Sequence, residues 1–80
     1  MATKAEWKPN PVRPDKEWRL ESRGVFSIAI EEHQGKRFTY CKYPVLFGFT
    51  DLAATTIDDA KVEAVALLRA KLTEALAALG

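Results

Sequence analysis

The 80-residue chain holds one cysteine, one histidine and four glycines. A single cysteine forms no internal disulfide and no thiolate zinc cage, so no staple or structural metal is expected, and a reducing, cytoplasmic setting fits. One histidine gives no HxxxH pair, and no glycine-rich run offers a phosphate loop. No apolar stretch approaches the ~18 residues of a membrane span, and the polar residues after Met1 do not read as a signal-peptide core. A large excess of one charge is missing as well. Twelve basic residues against eleven acidic ones leave +1, which supplies no overall field for gathering nucleic acid or anionic lipid. A chain of this length folds as one domain that hides roughly 60–65% of its unfolded surface, with little room for a deep cleft.

Catalytic pairs are equally scarce. His33 and Cys41 are the only candidates for a nucleophile and its base, and a hairpin centred on Gln34-Gly35-Lys36 sets Cys41 near Ile28 or Ala29, about four residues of ~3.3 Å each from the turn. His33 reads as a solvated turn residue and Cys41 as a small sheet residue. Glu31 and Glu32 are adjacent and point to opposite faces of a strand. The expectation is a protein that is not an enzyme, with no cofactor and no metal.

What the chain does contain is a proline-rich front, strand-like alternation and one helix. Residues 1–14 carry Pro9, Pro11 and Pro14 and read as an extended arm without regular structure, leaving 15–80 as the single domain. Trp7 stands out in that arm, to pack back on the domain or to enter a partner. Trp18 and Leu20 alternate with Glu17, Arg19 and Glu21. Phe26, Ile28 and Ile30 then alternate with Val25, Ser27 and Ala29, and after the glycine turn Phe38, Thr39, Tyr40 and Tyr43 continue as strand formers. These runs predict a three-stranded antiparallel meander, with room for a short fourth edge strand in the apolar segment Leu46-Phe47-Gly48-Phe49 after Pro44.

One long C-terminal helix packed on one sheet face completes this α+β fold. Thr56 caps it with Asp59 three residues on, Asp58 and Asp59 suit its positive end, and Gly80 suits its C-cap. Counting at 100° per residue from Val65 puts Ile57, Ala64, Leu68, Leu72, Ala75, Leu76 and Leu79 on one side, with Glu63, Glu74, Ala60, Leu67 and Ala78 opposite. Leu67 is then the odd apolar residue, exposed or part of a helix contact in a homodimer.

Strands followed by Asp59-Ala60-Lys61-Val62-Glu63-Ala64 superficially look like a double-stranded-RNA-binding domain. That family grips phosphates with lysines at the start of its last helix, where this chain has Asp58 and Asp59. Residues 1–24 hold six basic residues against four acidic, and 51–80 hold three against five, so the asymmetry is mild. Phe38 and Tyr40 read as core or cross-strand residues before they read as base-stacking ones.

The run Phe26-Ser27-Ile28-Ala29-Ile30-Glu31-Glu32, then Gly35, then Pro44-Val45-Leu46-Phe47-Gly48, then Thr56-Ile57-Asp58-Asp59-Ala60 resembles the HicB-like antitoxin family over about 54 residues. The resemblance implies a degenerate RNase H-like domain without catalytic carboxylates that binds a small RNA-cleaving toxin. The loop before Thr56 is about one residue longer than the family's, and Leu52-Ala53-Ala54 replaces its second glycine. A strand around Trp18 is expected to take the sheet position that the family fills from its C-terminal side.

Together these features predict a small non-catalytic binding protein that neutralises a protein partner by masking its surface. The expected contact residues are Trp7, Tyr43, Phe47, Phe49 and Leu67, since aromatic residues dominate interface energetics. The partner is a toxin or, in an alternative reading, a host defence complex blocked by a phage or mobile-element protein of anti-CRISPR type. A nucleic-acid-binding module is a further alternative, as is a homo-oligomer joined through Leu67. No membrane partner is expected.

Overall fold

Alternation of apolar and polar residues builds the sheet. The computed structural model describes residues 5–43 and 47–80, with the Phe47 side chain outside the described part. Five strands, β1 (Trp7–Pro9), β2 (Glu17–Ser22), β3 (Phe26–His33), β4 (Lys36–Tyr43) and β5 (Phe47–Asp51), precede one helix, α1 (Ile57–Leu79). The strands lie in chain order with every neighbour antiparallel. No helix among the described residues is long and apolar enough to cross a membrane.

Five strands correct the expected three or four. β5 is the edge strand anticipated after Pro44, whereas β1 lies inside the segment read as an arm without regular structure. The prolines do not prevent it, because Pro9 ends an edge strand where a missing N–H costs no ladder bond. Trp7 faces Leu20 and Pro9 faces Trp18, so the indole packs back against the core. Of the fourth-strand segment Leu46-Phe47-Gly48-Phe49, residues 44–46 and the Phe47 side chain lie outside the described residues.

The β3–β4 hairpin closes with His33 opposite Lys36, so its loop is the two residues Gln34 and Gly35. Both have positive φ, 52° and 78°, the pattern of a type I′ turn, whose twist matches that of the strands. Glycine takes this region without strain, but glutamine does not. Gln34→Asn should therefore raise stability by about 0.5–1 kcal/mol. A denaturant midpoint equal to or below that of the wild type would count against the turn assignment.

One sheet face carries Trp7, Trp18, Leu20, Phe26, Ile28, Ile30, Thr39 and Cys41, and α1 lies over β3 and β4 on this side. Thr39 is fully buried and satisfies its hydroxyl by donating to the Ala29 carbonyl at 2.8 Å. The helix begins as anticipated: Thr56 Oγ1 accepts from the Asp59 N–H at 3.2 Å. Its packing face differs from the expected one. Ala60, Ala64 and Leu68 are its buried residues, whereas Leu76 and Leu79 are 69% and 84% exposed. Small residues let a helix backbone approach a sheet closely, so Ala60 and Ala64 sit at the centre of the contact; Ile57, Val65 and Leu72 of the expected stripe pack at its border, and its C-terminal end, Leu76 and Leu79, is turned away.

Glu63 is also not a solvated residue. Its carboxylate accepts from the backbone N–H groups of Ala53 and Ala54, at 3.0 and 2.9 Å, and ties the β5–α1 loop to the helix. Arg37 adds a second tie by donating to the Thr55 carbonyl at 3.0 Å.

Candidate partner-binding face

The strand positions that alternate with the core face form a second sheet surface that the helix does not cover. Register places Arg19, Ala29 and Tyr40 in one row across β2, β3 and β4, and Glu17, Glu31, Phe38 and Asp51 in the next row, which continues onto β5. Phe49 stands on β5 beside both aromatic residues. Its ring meets Phe38 edge-on, centroids 6.2 Å apart at 89°, and Tyr40 at 5.0 Å and 58°. His33 extends the row, 6.4 Å from Phe38. His33, Phe38 and Phe49 line a shallow, mostly apolar depression of about 330 Å³.

Short side chains lie beneath this layer. Ala29 and Ser27 are 1% and 2% exposed although no helix lies over them, because the longer side chains of neighbouring strands close above. Phe49 itself remains 64% exposed. An aromatic ring braced from two sides and left largely in water is an unusual expense for a monomer, and braced aromatic residues are what interfaces use as anchors.

Charge frames the rings. Glu17 and Glu31 face each other across β2 and β3, a like-charge pair that is unfavourable unless compensated. Arg19 lies 3.6 Å from Glu17, while Arg13 and His33 Nε2 lie 3.7 and 3.2 Å from Glu31. On the opposite face Glu32 meets Lys16 at 3.0 Å and Arg37 at 3.2 Å. The Lys16 hydrogen bond lowers the Glu32 carboxyl below its ordinary range; partial desolvation opposes this, and the charges of Lys16 and Arg37 reinforce it.

Burial pushes the Tyr40 hydroxyl above its usual 10.0, and the nearby negative charges of Glu31 and Glu17 add to the rise while Arg19 opposes it. Tyr40 is therefore a neutral hydroxyl at physiological pH. A group that binds its proton more tightly when folded stabilises the fold below its unfolded pKa, and that contribution is lost as pH rises through the folded value. As pH rises from about 9 through and beyond 10, the urea midpoint of the wild type should fall more steeply than that of Tyr40→Phe. Parallel declines would show that Tyr40 is not the titrating group.

The anticipated contact residues do not form one patch. Phe49 is on the uncovered face, at its β5 edge. Tyr43 is half-buried at its margin, opposite Ser27. The side chain of Phe47 lies outside the described residues. Trp7 is on the other face, half-buried against the core. Leu67 is half-buried at the edge of the sheet-facing side of α1 and is not the fully exposed leucine that the helical wheel suggested. Phe38, Tyr40, Arg19, Glu31 and His33 belong to the site but were not among the residues expected there.

Among the described residues, no group of three or more His, Cys, Asp or Glu side chains is close enough to hold a metal ion. His33 and Cys41 lie on opposite sheet faces, Cys41 being buried opposite Ile28 and donating to the Tyr43 carbonyl at 3.3 Å. The fold and this face define the class: a small α+β domain whose five-stranded sheet is covered on one side and presents aromatic residues on the other. Comparison with family models, curated proteins and solved structures gives no match to this chain.

Proposed function

We propose that this protein is a non-catalytic binder that masks a surface of a protein partner with its uncovered sheet face. The observation that carries the reading is Phe49, a braced and largely exposed ring on the edge strand β5, with Phe38 and Tyr40 beside it and the charged residues of β2 and β3 beyond them. An apolar aromatic centre with a polar border is the anatomy of a protein interface. Toxin neutralisation and inhibition of a host defence complex both require only such a surface. The antitoxin form of the proposal rests on the resemblance of residues 26–79 alone.

Base stacking on Phe38, Tyr40 and Phe49 is the competing use of the same rings. The row that holds Phe38 also carries Glu17, Glu31 and Asp51, and Arg19 and Arg13 do no more than offset the first two, so it offers no surplus positive charge to hold phosphates, which favours the protein partner.

The test is capture from native lysate with wild-type protein and with Phe49→Glu as baits. A protein recovered in stoichiometric amount by the wild type and lost with Phe49→Glu supports the proposal. Equal recovery by both baits contradicts it, as does recovery of no protein. Salt-sensitive retention of RNA or DNA in place of a protein would support the stacking use instead.

A further inference from the structure

The sheet takes up only part of the apolar surface of α1. Val62, Val65, Arg69, Leu72, Leu76 and Leu79 recur at alternating spacings of three and four, the a/d pattern of a helix that packs along another helix. This seam is centred about 110° around the helix from Ala64, in the middle of the sheet contact. Val62, Leu76 and Leu79 are 71%, 69% and 84% exposed. Val65 and Leu72 are half-buried, each packing one side against the core and leaving the other to the seam, and Arg69 is exposed.

The sheet leaves space beside this seam. Five strands span about 19 Å at ~4.8 Å per spacing, and one helix covers ~10 Å of that width. α1 lies over β3 and β4. Toward β1 there is a mainly apolar groove of about 490 Å³, lined by Trp7, Lys61, Val62, Val65, Ala66 and Arg69.

We propose that a second copy of this chain lays its own α1 antiparallel along the seam, giving a two-fold dimer. Charge chooses the direction. A parallel pair would stack Arg69 on Arg69 and Asp58 on Asp58, and would bring together two helix C-termini that have no basic residue in the last turn. An antiparallel pair sets Val62 against the second copy's Leu79, Val65 against its Leu76, and Arg69 against its Leu72, where the arginine stem lies on the leucine. Sliding by one heptad would place Asp58 on Leu76 and leave Leu79 without a partner.

Two further features agree with this register. The groove beside Trp7 is lined by Val62 and Val65, the two residues that receive Leu79 and Leu76, so it is filled by the exposed end of the opposite helix. Lys61, on the groove wall, comes next to the negative C-terminal end of that helix. The dimer uses the helix side of the molecule and leaves the Phe49 face free, so it stands independently of the proposed function.

The test is sedimentation of the full chain between about 1 µM and 1 mM, with Leu76→Glu and Phe49→Glu as variants. A reversible dimer is expected. Leu76→Glu should weaken it by at least about 100-fold, because each substitution enters twice across the two-fold. Phe49→Glu should leave it unchanged, and the circular dichroism of both variants should match the wild type. Orientation is read from a nitroxide on Ala77→Cys in one copy mixed with isotope-labelled wild type. Broadening of amides in Lys61–Ala66 is expected. A monomer at every concentration, a dimer indifferent to Leu76→Glu, or broadening confined to the last turn of the labelled helix would each overturn the proposal. So would a seam that captures another protein's helix while the chain itself stays monomeric.

Discussion

Ile30→Ala is expected to lower stability by about 3 kcal/mol, enough to reduce the melting temperature by roughly 12–24 °C. Ile30 is fully buried and packs in one cluster with Leu20, Ile28, Cys41, Ala60, Ala64 and Leu68. Truncation removes its transfer free energy and leaves a cavity, and the cost depends on whether the surroundings can collapse into it. Here they cannot easily do so. On one side the neighbours are strand residues held by the ladder, and on the other Ala60 and Ala64 are too short to reach, with Leu68 the one large helix residue in the cluster. A domain of 80 residues has a total stability of about 4–12 kcal/mol, so the loss is a quarter or more of the whole. Val25→Ala is the control, since Val25 is 60% exposed and its truncation should stay within about 0.5 kcal/mol. Urea denaturation of both variants measures the contrast. A change below 1 kcal/mol for Ile30→Ala would mean that the helix is not seated on β3.

The same cluster explains which parts of the fold were legible. Strand alternation located Trp18 and Leu20, then Phe26, Ile28 and Ile30, on one face, because a half-buried strand shows its period directly. The helix start was legible in Thr56 and Asp59 for the same local reason. The helix face was legible in part. Ile57, Ala64, Val65, Leu68 and Leu72 of the expected stripe do meet the core, whereas a wheel weighted by large side chains also takes in Leu76 and Leu79, which stay exposed, and leaves out Ala60, which is buried because its small side chain permits close approach. Glu63 was misplaced with it, because a rotated helix turns that carboxylate toward the amides of Ala53 and Ala54. β1 was missed because three prolines outweighed one tryptophan, and an edge position removes the objection to Pro9.

The candidate site was hidden by a single residue of register. A turn read as Gln34-Gly35-Lys36 leaves the facing of β4 undecided, and a shift of one residue sends every β4 side chain to the other face. A two-residue type I′ loop pairs His33 with Lys36. Counting back from that pair puts Glu31 opposite Phe38 and Ala29 opposite Tyr40, on the side away from Ile28 and Ile30. The signal was therefore present in Gln34-Gly35, in the loop length that a type I′ turn demands. Residue types alone could not supply it, since phenylalanine and tyrosine on a strand are most often core.

If Phe49 anchors the partner, Phe49→Ala should weaken binding by about 30- to 1000-fold, or about 2–4 kcal/mol, with stability changed by less than about 1 kcal/mol. The two effects separate because of where the ring lies. It is 64% exposed, so little of its burial belongs to the fold, and most of its apolar surface becomes buried only on binding. Its edge contact with Phe38 and its tilted contact with Tyr40 hold it in place beforehand, which limits the entropy lost when a partner closes over it. Phe38→Ala should reduce both binding and stability, because Phe38 is half-buried and also supports Phe49. In a double-mutant cycle the two positions should show a coupling of roughly 0.5–3 kcal/mol in binding, whereas Leu79→Ala on the helix seam should show no coupling to either. Calorimetric titration of the captured partner against the wild type, the three single variants and their three double variants measures all of these terms. Unaltered affinity in Phe49→Ala would remove the uncovered sheet face as the binding surface, whatever partner had been recovered.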